Sequence, residues 1–259
     1  MSVIFRLGHL VDPVREGDVP FAASPLFGAR SARTSDLVLP VTRRPRNQPG
    51  SSCVPSSGLG SLEALSDIQR APLPPLSVMW GYRLSRVEHG AQGVDGGTYI
   101  YTFVDAAARM GCSSEAAWPD DASDLVERQL PDGSWAGRPP PGAFMDAYDR
   151  LVDAHYAIAD GDLDAFEDAL TAEHFPMFGV EVSLDFVKYG GDGHVFGPPS
   201  DAVGRHAMFV RGVRGFGDQR EWRIRNSWSE EWGDDGEVWI SSAYLRTARS
   251  ARVFTRAPA

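Results

Sequence analysis

Gln48-Pro-Gly-Ser-Ser-Cys-Val-Pro-Ser-Ser-Gly-Leu-Gly-Ser-Leu-Glu63 decides how this chain is read. A loop of small residues runs into a helix at Cys53, one of only two cysteines. Pro55 suits a first helical turn, where the amide it removes has no intrahelical partner. A thiol placed there points at unpaired N–H groups and the positive end of the helix dipole, and both favour thiolate. Buried inert cysteine is the bland alternative. The same stretch predicts a helix over 53–69, with Leu59, Leu62, Ala64, Leu65 and Ile68 on its apolar side. Gly58 and Gly60 each cost that helix roughly 1 kcal/mol against alanine, so close packing is expected at both.

Downstream, Leu76–Val87 and Tyr101–Met110 carry helical periodicity, the latter closed by Gly111. Residues 118–141 are acidic and proline-rich, a long surface loop with a turn at Pro131-Asp132-Gly133. Ala143–Ala154 and Leu163–Thr171 read as further helices, the second capped by Asp162. After Pro176 the pattern changes to alternation at Phe178, Val180, Val182 and Leu184. Strands are expected there, over Ala207–Val213, Glu221–Arg225 and Glu237–Ile240. Helices first and strands second predict an α+β chain in two lobes.

Upstream, prolines 13, 20, 25, 40 and 45 punctuate the first 46 residues, which should be extended and draped on the β-rich lobe. No amphipathic repeat suited to a helical inhibitory segment occurs there. The expected divisions are 1–46 for this segment, 47–160 for the helical lobe and 161–259 for the β-rich lobe.

Composition narrows the partners. A formal net charge of −10 over 259 residues argues against nucleic acid and anionic membranes. No stretch has the length of a membrane-spanning helix, and the N-terminus lacks a signal-peptide layout. Two cysteines fit a reducing compartment, so a cytoplasmic location is expected. The histidines show no paired ligand spacing, and Asp160, Asp162 and Asp164 lack the glycine and closing glutamate of a calcium loop. No metal or cofactor is expected.

Two late segments supply chemistry. Gly204-Arg-His-Ala-Met-Phe-Val210 puts His206 at the head of an apolar strand. Trp222-Arg-Ile-Arg-Asn-Ser-Trp-Ser-Glu-Glu-Trp-Gly-Asp-Asp-Gly236 puts Asn226 at the end of another. A thiol nucleophile needs a base that can later return the proton, and imidazole suits both steps. The imidazole needs a third group to fix its ring, and an amide oxygen can do so. Trp228 could cover that bond.

Asn226-Ser-Trp228 with Trp232-Gly-Asp-Asp-Gly236, preceded by His206-Ala207, resembles the papain family of cysteine peptidases. Gln48-Pro-Gly-Ser-Ser-Cys53, Glu63, Asp95-Gly-Gly97, Gly111-Cys-Ser-Ser-Glu-Ala-Ala-Trp-Pro119 and Asp12-Pro13 resemble further segments of that family, the last two those of its bacterial members. The resemblance implies a two-lobed fold with the site in the cleft between lobes. It implies Cys53 as nucleophile, His206 as acid/base, Asn226 as orienter and Gln48 as an oxyanion-hole donor beside the Cys53 N–H. Gly96 and Gly97 would pair with substrate backbone, and Arg205 beside the histidine suggests an acidic or polar preference.

The departures matter too. The loop from Gln48 to Cys53 is one residue shorter than is usual, so Asn47 is an alternative donor. Cys53-Val-Pro-Ser-Ser57 lacks two large side chains of the family pattern, and Ser229 replaces a glycine. The resemblance implies a peptidase acting on peptide or protein substrates through a thioester, with narrow intracellular processing as the expected role. Transpeptidation or amide ligation with the same triad, and a non-catalytic binding scaffold, are the alternatives. Cys112 is expected to be structural.

Overall fold

The computed structural model describes residues 7–256. Five helices of eight or more residues form: α1 (Cys53–Ile68), α2 (Val78–Glu88), α3 (Ile100–Met110), α4 (Pro141–Tyr148) and α5 (Leu163–Thr171). Ser77 caps α2 by accepting from the Trp80 N–H, and Asp162 caps α5 by accepting from the Ala165 N–H. The strands are β1 (His9–Leu10), β2 (Leu37–Val38), β3 (Thr98–Tyr99), β4 (Arg128–Gln129), β5 (Trp135–Ala136), β6 (Ala154–Ala157), β7 (Met177–Ser183), β8 (Val195–Phe196), β9 (Ala202–Arg214), β10 (Glu221–Arg225), β11 (Glu237–Ser241) and β12 (Arg249–Thr255).

The main sheet runs β6-β12-β7-β9-β10-β11-β8, with β2 paired to β9 as well. Helix α1 packs against β9, α2 and α3, so it forms the seam between the helical layer and the sheet. Its two glycines are explained by that packing. A side chain at Gly58 would strike the Phe103 ring of α3, and one at Gly60 would press on Phe209 of β9. The fold is α+β and two-lobed, as the element order predicted.

Three expectations need correction. The helical pattern at 143–154 stops at Tyr148, and Ala154–Ala157 instead forms β6 beside β12. Pairing with an exposed sheet edge outweighs a short apolar period in that stretch. The 118–141 loop contains the small hairpin β4–β5 around the expected turn. Finally, the N-terminal segment is not confined to the β-rich lobe. His9 and Leu10 pair in parallel with Thr98 and Tyr99, and Asp12 accepts from the Ile100 and Tyr101 N–H groups at the start of α3. It lies on the other lobe as well: the His9 ring packs over Gly179 of β7, and further on the buried Asp168 carboxylate accepts from the Gly28 and Arg30 N–H groups and from the Arg30 guanidinium. Orphan donors at a helix N-terminus attract a carboxylate, and Asp12 supplies one.

Candidate active site

Cys53 is the first residue of α1, and the loop before it is held from two sides. The Asp95 carboxylate accepts from the Ser51 N–H at 3.2 Å and from the Tyr82 hydroxyl at 2.5 Å. Ser52 donates its hydroxyl to the Pro49 carbonyl at 2.6 Å, making a tight turn into the helix. Asp95, immediately before Gly96-Gly97, was not singled out from sequence. Its only signal was that position.

His206 and Asn226 stand on adjacent strands of the sheet. Antiparallel pairing of β9 with β10 aligns Phe209 with Arg225, which brings Asn226, one residue beyond β10, level with the head of the apolar run. The Asn226 N–H donates to the Gly236 carbonyl at 2.9 Å, fixing the strand end. Asn226 Oδ1 then lies 2.6 Å from His206 Nε2 and also accepts from the Ser227 N–H at 2.7 Å. Rotating the amide would set its NH₂ against the Ser227 N–H donor, so this orientation is favoured. The Trp228 indole stacks on the imidazole with ring centroids 4.2 Å apart and 27° between planes. It covers the bond as expected, in a site where exclusion of water strengthens it.

His206 Nδ1 has no hydrogen-bond partner. The next residue, Ala207, turns its backbone N–H toward the Cys53 sulfur, which brings the start of α1 beside β9 at the lobe boundary. Gln48 is fully buried. Its Oε1 accepts from the Ser227 hydroxyl at 2.6 Å, and its Nε2 donates to the Gly50 carbonyl at 3.0 Å. The Gln48 N–H also donates to the Ser227 carbonyl, and Asn47 bridges to Trp228. The short loop is therefore laced to the segment that carries Asn226. Ser227, the middle residue of Asn-Ser-Trp, holds the Gln48 amide, a role that sequence reasoning missed.

The site differs from expectation in its charge state. Burial pushes the Cys53 thiol up to about 12, against the opposing pull of the Ala207, Gly8, Val54 and Cys53 N–H groups. Burial likewise lowers His206 to about 4, against its bond to Asn226. A helix N-terminus does favour the thiolate, but complete removal from water outweighs it here. Both shifts favour the neutral forms, and neither group is exposed.

The chain's own N-terminal segment contributes to this burial. Gly8 lies against the sulfur, and its carbonyl accepts from the Thr98 N–H at 2.8 Å. A side chain at Gly8 would collide with the Ser51 backbone, and one at Gly97 would collide with Gly8. Gly97 has φ +79, and its carbonyl accepts from the buried Arg86 guanidinium. Its neighbour Gly96 is exposed. Arg205 is half-buried, and its guanidinium donates to Glu181 at 3.0 Å. Cys53 and Cys112 are both free thiols, and Cys112 is buried far along the helical lobe beside Arg150. Among the described residues no cluster of three His, Cys, Asp or Glu side chains is arranged to hold a metal, and no helix is long and apolar enough to cross a membrane.

A helical lobe packed on a β-rich lobe, with a cysteine on a helix end and a His–Asn pair on adjacent strands, defines a papain-like fold, and the chain has that fold. It superposes on xylellain, a cysteine protease from Xylella fastidiosa, with TM-score 0.81 at 20% identity, covering 97% of this chain and 96% of that one. Digestive procathepsin L 3 of Tenebrio molitor gives TM-score 0.68 at 18% identity over 97% of this chain and 76% of that one. In sequence it is 27% identical to digestive cysteine proteinase 2 of Homarus americanus over 81% of this chain. It is 23% identical to cathepsin S of Bos taurus over 77% of this chain. The chain spans 59% and 54% of the lengths of those two relatives. No protein-family model matches it.

Proposed function

We propose that this chain is a cysteine peptidase acting on peptide or protein substrates through Cys53, His206 and Asn226. The His206–Asn226 bond beneath Trp228, with Nδ1 left unpartnered beside the Cys53 helix, carries this reading. With the cleft open to solvent, the desolvation that keeps both groups neutral is relieved, and the thiol proton passes to Nδ1. The thiolate attacks the substrate carbonyl, and the developing oxyanion is met by the Cys53 N–H and the Gln48 amide. His206 then gives the proton to the leaving amine, and water cleaves the thioester. Asn226 keeps the imidazole in one orientation while it is charged.

Gly96 and Gly97 would take the substrate backbone, and Arg205 would favour an acidic or polar side chain. Narrow processing inside the cytoplasm is the setting that fits a cleft closed by the chain itself and two unpaired cysteines. The test is intact mass after exposure to a peptidyl epoxide that alkylates activated thiols. One adduct, absent in Cys53→Ala and strongly reduced in His206→Ala, is expected. An adduct unaffected by His206→Ala, or none at a Cys53 that a small maleimide still labels, would overturn the reading.

A further inference from the structure

Tyr82 stands where three segments, far apart in sequence, meet. It projects from α2, wholly buried, and its hydroxyl uses all of its hydrogen-bonding capacity. It donates to Asp95 Oδ1 at 2.5 Å and accepts from the Gly97 N–H and from Arg86 Nη1, each at 3.2 Å. Arg86, one turn further along α2 and equally buried, donates in addition to the Ala91, Val94 and Gly97 carbonyls. The loop 91–97 is thus gathered around one guanidinium and one phenol.

Asp95 carries the connection on to the cysteine loop. Its two oxygens lie 3.2 Å from the Ser51 nitrogen, and its carboxylate stands where a Cβ on Gly50 would go. Gly50 has φ +48, and its carbonyl takes the Gln48 amide. An unbroken series of contacts therefore runs from Gly97 through Tyr82 and Asp95 to Gly50, Ser51 and Gln48. Burial, and then the Asp95 carboxylate, push the Tyr82 phenol above its ordinary range, so it remains a donor. A short O–H···O⁻ bond of this kind is stronger than a neutral one. With the Gly97 N–H spent on Tyr82, the exposed Gly96 is the part of the strand left open to substrate backbone.

We propose that Tyr82 is a positioning residue that couples the Gly96–Gly97 strand, through Asp95, to the loop that presents the oxyanion donors. This rests on the peptidase reading for its consequence, while the coupling itself stands on geometry. Substrate settling along Gly96 would hold Gly97 in place. The phenol and carboxylate would pass that constraint to the turn at Gly50–Ser51, which seats the Gln48 amide. The donor is then set most firmly when the cleft is filled.

Amide hydrogen exchange in the full chain, read residue by residue by NMR, tests the coupling without reference to activity. The informative amides are those whose own acceptor a variant leaves in place. Tyr82→Phe should speed exchange at Ser51, whose acceptor is Asp95, roughly tenfold. Asp95→Ala, at an exposed position that folding tolerates, should speed exchange at Gly97, whose acceptor is Tyr82, to a similar degree. Amides in the middle of α5 should keep their rates in both. If each variant moves only the amide that loses its own partner, the coupling is overturned. Equal acceleration in α5 would overturn it too, since that marks general loosening.

The link to chemistry is read in kcat on one fluorogenic peptide. Tyr82→Phe should lower kcat roughly tenfold in the wild-type background but less than about threefold beside Gln48→Ala, because one donor cannot be lost twice. Equal losses in the two backgrounds would overturn the positioning role. A wild type that neither cleaves peptides nor takes the epoxide, yet shows both cross effects in exchange, would uphold the coupling, and it is then the peptidase reading that fails.

Discussion

Ser227 Oγ donates to Gln48 Oε1 at 2.6 Å, and the backbone of the same serine donates to Asn226 Oδ1 at 2.7 Å. One residue thus fixes both the amide that would meet the oxyanion and the amide that holds the histidine. The two halves of the site, far apart in sequence, are locked together below the reacting atoms.

Removing the Gln48 amide should be felt mainly in the chemical step. Gln48→Ala is expected to lower kcat by roughly 10²–10³ with KM little changed. Ser227→Ala leaves the donor in place but unheld, and a smaller loss, about tenfold, is expected. Steady-state kinetics on one fluorogenic peptide distinguishes them. Equal losses would mean that Gln48 acts through packing alone.

Trp228→Ala would open the His206–Asn226 bond to water and remove the stacked ring. A fall in kcat/KM of roughly tenfold is expected, corresponding to the 0.5–1.5 kcal/mol typical of an aromatic contact together with a weakened buried hydrogen bond. Parallel measurement of Tm separates lost stability from lost activity. Unchanged kinetics would show that the indole serves only as core.

The Asp168 carboxylate is wholly buried and anchors the N-terminal segment through two backbone N–H groups and Arg30. Asp168→Ala leaves buried donors and a cation without their acceptor. A loss of about 3 kcal/mol is expected, with Tm falling by roughly 6–10 °C in a chain of this size. A shift under 2 °C in a thermal melt would refute the anchor.

Burial lowers His206 to about 4, so its neutral form is the one the fold stabilises. The stability it contributes is complete above its unfolded value near 6.5 and is lost as pH falls through about 4. Between pH 7.5 and 5, wild type should therefore lose roughly 2 kcal/mol that His206→Gln does not lose. Urea unfolding of both proteins at the two pH values reads this difference, and the buried Asp12 and Asp120 carboxyls cancel in it. A constant difference would place His206 in contact with water.

Periodicity alone located α1, α2, α3 and α5 and the strands β7, β9, β10 and β11, because each buries one face against a neighbour and so must repeat at 3.6 or 2 residues. The motifs also exposed Cys53, His206, Asn226 and Trp228, since thiol, imidazole and amide in those local settings suit acyl transfer, while Gln48 came from the family resemblance. Strand β6 was hidden, because Ala154–Ala157 becomes a strand only through the edge that β12 offers. Asp95, Ser227 and the arginine-rich anchors were hidden for a like reason: a hydrogen-bond partner distant in the chain leaves no local trace. The seat of residues 7–10 is the largest case. Extended, proline-punctuated sequence fixes no path of its own, and only the glycines at 97, 179 and 204, brought together by the two lobes, make a channel that Gly8 and His9 fill. What the sequence determined is which groups can do the chemistry. Their burial, and hence the bias toward their neutral forms, was decided by tertiary packing, because removal from water depends on every surface that closes over them.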